Sequence, residues 1–177
     1  MYDIAEFMAK RKWDRENKVH RMRYLHTLAR ESKNSQDISA KIGGMLIYNQ
    51  VIEQFLSDIV EMSIYYIKAQ IWPVKVELEV DLDKATFGKV IEYFKQYATV
   101  ESNRDQILSD LKRFNTKRNQ VVHDLFDIEN LSNLAKEMDD YADLADEILR
   151  MLMEYETQVR TNFCQLNDQM NFCSCSK

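Results

Sequence analysis

Residues that break helices are nearly missing from this chain: three glycines and one proline are spread over 177 residues. Glycine loses the most backbone freedom on entering a helix and proline removes an amide donor. A chain this poor in both, and rich in Leu, Ile, Met, Glu, Lys, Gln and Ala, is free to run in long helices. The fold class read from it is all-α, in a single helical domain over 1–177, a length able to bury about two-thirds of the unfolded surface around one core.

Apolar spacing divides the chain into five helical segments. The first covers about 10–32, where Trp13, Val19, Met22, Leu25 and Leu28 form a loose stripe among many cations, and Ser32-Lys33-Asn34-Ser35-Gln36 ends it. The second covers about 37–71, with Ile38, Ile42, Met45, Asn49, Ile52, Leu56, Ile59, Ser63 and Tyr66 three or four apart. Trp72-Pro73 stops it. Alternation in VKVELEVDLD then predicts a short extended segment near 73–81, which has no pairing partner visible within the chain and is read as an arm, or as a strand that pairs with its copy in a dimer. The third helix covers about 84–98. The fourth opens near Ser102, with Asp105 completing a capping box, and runs to about Leu125. The fifth covers 128 to about 160 with Asp127 as its cap and Leu131, Leu134, Met138, Tyr141, Leu144, Ile148 and Met151 inward, leaving a flexible tail over about 161–177.

No apolar run is long enough to span a bilayer, and the N-terminus has no secretory pattern, so the expectation is a soluble, cytoplasmic protein with no membrane partner. The cysteines, Cys164, Cys173 and Cys175, are odd in number and bunched at one end, unlike a disulfide framework. Net charge is −5, which argues against bulk binding to nucleic acid, yet residues 1–33 carry nine Lys/Arg against five Asp/Glu and 124–156 carry eleven Asp/Glu against two Lys/Arg. The basic segment can guide a phosphate backbone or be a solvated helix surface.

The stretch Thr116-Lys117-Arg118-Asn119-Gln120-Val121-Val122-His123-Asp124-Leu125 places a cation in a core stripe. At 100° per residue, Ile107, Leu111, Phe114, Val121, Val122 and Leu125 all fall within about 60° of Arg118. Asn119 lies about 100° and His123 about 140° round from it. A guanidinium buried there without partners would cost several kcal/mol. It therefore snorkels to water, pairs with a buried carboxylate, or lines a cavity.

Arg118-Asn119-Gln120-Val121-Val122-His123 resembles the R-x4-6-H motif of the HEPN domain superfamily, in which a polar residue, often Asn, follows the arginine late in a helix. Ala85-Thr86-Phe87-Gly88-Lys89-Val90-Ile91 is similar to the short helix that precedes the motif helix in several HEPN families. The resemblance covers about 36–155, flanked by the basic helix of about 10–32. It implies an antiparallel four- to five-helix bundle that dimerises with two motifs facing one cleft, and metal-independent endoribonuclease activity on RNA without a cofactor. Arg118 would grip the scissile phosphate through its planar fork of donors, Asn119 would orient the phosphate or the arginine, and His123 would transfer protons. It also implies a toxin or defence protein, with an antitoxin or other protein as partner.

Two further readings stand beside this one: a non-catalytic HEPN-like module for dimerisation or for binding a nucleotide or protein, and an unrelated helical interaction domain in which Arg118 pairs with Glu61 or Asp58. Lys112 and Lys117 share the motif helix and are candidates for flanking phosphates, as is Arg113. His20 and His26 are six apart, the wrong spacing for two metal ligands on one helix face, and Cys173 and Cys175 with Cys164 lack a fourth ligand, so no metal site is expected. Gly43-Gly44 is followed by Met45-Leu46, not by the lysine of a phosphate-binding loop.

Overall fold

The structure is a computed structural model; it describes the backbone of residues 4–71, 74, 78, 80–124 and 131–174, with side chains over the same ranges except 4–17, 122, 124, 131, 132 and 167–174. All regular structure in these ranges is helical: α1 (Ile4–Lys33), α2 (Ile38–Gln70), α3 (Phe87–Tyr97), α4 (Arg104–Asp124) and α5 (Leu131–Ser174). None of the helices, over the described residues, is long and apolar enough to cross a membrane. The chain divides into two compact units, Met1–Val51 and Ile52–Lys177, with the division inside α2.

The first unit is a helical hairpin of α1 and the start of α2. Asn34 and Ser35 donate their amides to the Glu31 and Ser32 carbonyls, closing α1, and Asp37 accepts the Ser39 amide at 2.8 Å, capping α2. Lys41 Nζ donates to the Lys33 carbonyl at 2.8 Å, satisfying an acceptor that the end of α1 leaves open. The two helices approach closely at Gly44, where a Cβ would sit 2.7 Å from Ser32 Cβ and 3.2 Å from the Ala29 carbonyl oxygen. Only a hydrogen fits there. His26 meets the buried Tyr48 ring edge-on, with centroids 6.0 Å apart.

The second unit is a helical bundle of the rest of α2 with α3, α4 and α5. Phe114 of α4 stacks on Tyr141 of α5 at 4.4 Å and takes Phe87 of α3 edge-on at 6.0 Å, so one ring ties three helices together. Phe94 packs on Tyr155 at 5.1 Å, and Tyr66 of α2 faces Phe163 at 6.3 Å. Ile52, Leu56, Ile59, Ile107, Leu111, Ile148 and Leu152 are fully enclosed. Each such side chain contributes about 1.5–3 kcal/mol of burial.

The turn between α3 and α4 is pinned from both sides. The Val100 amide donates to Tyr155 Oη at 3.1 Å, and Arg104 donates to the Lys95 carbonyl at 2.6 Å at the end of α3. Burial pushes the Tyr155 phenol above its ordinary pKa, and the Val100 amide acts against this.

Several ends differ from the sequence reading. α4 begins at Arg104 rather than Ser102, because Asn103 adopts a left-handed backbone (φ 59°) and its carbonyl accepts the first helical bond, from Ile107. Asparagine tolerates that geometry better than most residues. α5 continues to Ser174 rather than ending near 160. No glycine or proline follows, and Tyr155, Val159 and Phe163 continue the buried stripe. α1 begins at Ile4 rather than near 10, and α3 spans 87–97 rather than 84–98, with Thr86 at its N-cap. The extended segment near 73–81 falls largely outside the described residues; Val74, Leu78, Val80 and Asp81 belong to no helix or strand. The Asp127 cap also lies outside them.

Candidate functional site

The motif helix buries one stripe, as its spacing requires. Ile107, Leu111 and Phe114 have no accessible surface and Val121 has 2 %. Arg118 stands between Phe114 and Val121 on the same stripe but is only half-buried. Among the described residues it forms neither a hydrogen bond nor an ion pair. The pairing with Glu61 or Asp58 is therefore not formed; the Asp58 carboxylate accepts from Gln54 Nε2 at 3.2 Å. Of the three arrangements open to a cation in a core stripe, the pairing with a buried carboxylate is ruled out among the described residues, and half-burial fits a stem that packs beneath an accessible head.

Asn119 and His123 are exposed, as is Lys112. On the helical wheel these three lie within about 40° of one another, and Thr116 falls in the same sector. Lys112, Thr116, Asn119 and His123 thus form one exposed polar stripe along α4, at spacings of four, three and four. The Thr116 hydroxyl is tied back to the Lys112 carbonyl at 3.0 Å. Thr116 was legible from this spacing, yet nothing in its chemistry singles it out. Lys117 leaves the helix on the far side, about 160° from Asn119, and is half-buried. The structure groups Lys112 with Asn119 and His123, and separates Lys117 from them.

Arg118 and His123 are about 7.5 Å apart along the helix axis and about 140° apart around it. A single helix does not aim both at one atom. The short preceding helix meets the motif helix through Phe87, which is 4 % exposed and packs against Phe114, one turn before Arg118. Gly88 has nothing within 4 Å of where a Cβ would be, so the glycine there answers no packing need.

A groove of about 670 Å³ runs between α4 and α5, and none of the motif residues lines it. Its walls include Gln106, Asp110 and Arg113 on one helix and Asp140, Asp143 and Glu147 on the other. Asp110 is 8 % exposed and accepts from Gln106 Nε2 at 2.7 Å. Arg150 donates to Glu147 at 2.6 Å and also to Glu154. That hydrogen bond holds the Glu147 carboxyl below the usual carboxylate range and raises the arginine's pKa. The groove is mostly acidic and suited to neither phosphate nor RNA.

Among the described residues no three His, Cys, Asp or Glu side chains are placed to hold a metal ion. His20 is exposed, His26 is half-buried against Tyr48, and Cys164 is an exposed free thiol, while Cys175 lies outside the described residues. No protein-family model, curated protein or solved structure matches the chain.

Proposed function

We propose that the chain is a metal-independent endoribonuclease of HEPN type that works as a homodimer, of the toxin or defence kind. The observation that supports this is Arg118: a permanently charged group held in the middle of an apolar stripe, half-buried and with no internal counter-charge among the described residues. A cation kept in such a place without a structural partner is available to an external anion.

The chemistry follows from the residue types. His123 of one copy takes the proton from a ribose 2′-hydroxyl, whose oxygen attacks the adjacent phosphorus. His123 of the second copy protonates the departing 5′-oxygen, leaving a 2′,3′-cyclic phosphate and a 5′-hydroxyl. One imidazole cannot be base and acid at the same instant, and a two-fold axis supplies two. Arg118 holds the non-bridging oxygens and offsets the charge that grows on them, Asn119 orients the phosphate, and Lys112 on the same stripe meets a flanking phosphate. The separation of Arg118 from His123 on one helix fits a site completed across two copies.

Replacing His123 with alanine tests this directly. Cleavage of single-stranded RNA in EDTA should fall at least about 100-fold, the scale of a lost general acid–base group. Equal cleavage by His123→Ala and the wild type, or a strictly monomeric particle by light scattering, removes the proposal. A non-catalytic module for dimerisation or for binding a nucleotide or protein is the second reading. The net charge of −5 and the acidic walls of the α4–α5 groove favour it.

A further inference from the structure

No further inference is drawn: the strongest candidate, the mostly acidic groove between α4 and α5, is a cluster of carboxylates whose buried member, Asp110, is already answered by Gln106, and nothing in the structure shows what would fill it.

Discussion

α1 and α5 are the two helices at the ends of the chain, and they use their residues in opposite ways. Over its described positions α5 buries a continuous stripe from Leu134 through Tyr141, Ile148, Leu152, Tyr155 and Val159 to Phe163, and its arginines are matched by glutamates three or four residues away. α1 buries only Ala29 among its described side chains and leaves Arg21 and Arg23 unmatched. In α5 the apolar face makes the fold and each arginine is answered by a glutamate on the same helix, although residues 124–156 carry eleven Asp/Glu against two Lys/Arg. In α1 neither is true. The contrast separates a helix whose arginines are answered by carboxylates one turn away from one in which Arg21 and Arg23 have no carboxylate at that spacing.

Core truncation has the largest effect expected from this contrast. Leu152→Ala should cost about 2–5 kcal/mol by urea unfolding, because Leu152 has no accessible surface, and Leu28→Ala about 0.5 kcal/mol or less, because Leu28 is 37 % exposed. A comparable loss at both positions would undo the contrast. The adjacent glycines of α2 come next, and their signs differ. Gly43→Ala meets nothing within 4 Å and should stabilise by roughly 0.8–1 kcal/mol through helix propensity, whereas Gly44→Ala, 2.7 Å from Ser32 Cβ, should destabilise by about 1–3 kcal/mol. Stabilisation by both would mean that α1 does not pack closely there. The smallest effect is electrostatic. Arg150→Gln should lower thermal stability slightly at low salt and not at about 1 M salt, where the screening length is about 3 Å. Arg21→Gln should leave it unchanged at either, since Arg21 has no carboxylate at pairing distance along its helix.

The five helices were legible because so little interrupts them, and the break between α1 and α2 was legible in Ser32-Lys33-Asn34-Ser35-Gln36. Their ends were harder. Ser102 and Asn103 are both good cap residues, and which one takes the left-handed turn depends on how the loop is pinned by Tyr155 and Arg104. The end of α5 is less legible, because no glycine or proline marks a stop and only the spacing of Tyr155, Val159 and Phe163 carries the helix onward. The wheel placed Arg118 on the buried face of α4, but three outcomes for its charge remained open until its surroundings were known. The same wheel separates Lys117 from Lys112 without any structure. The approach of α1 to α2 at Gly44 was not legible, because residues twelve apart in sequence meet there only through the hairpin.

That approach limits how the sequence can drift. Because the nearest obstacle to any substituent at position 44 is the first side-chain carbon of Ser32, what one position tolerates depends on what stands at the other. Emptying position 32 removes only one of the two neighbours, because the Ala29 carbonyl oxygen stays 3.2 Å from any first carbon at 44: one guard is a side chain that mutation can trim, the other is backbone that it cannot.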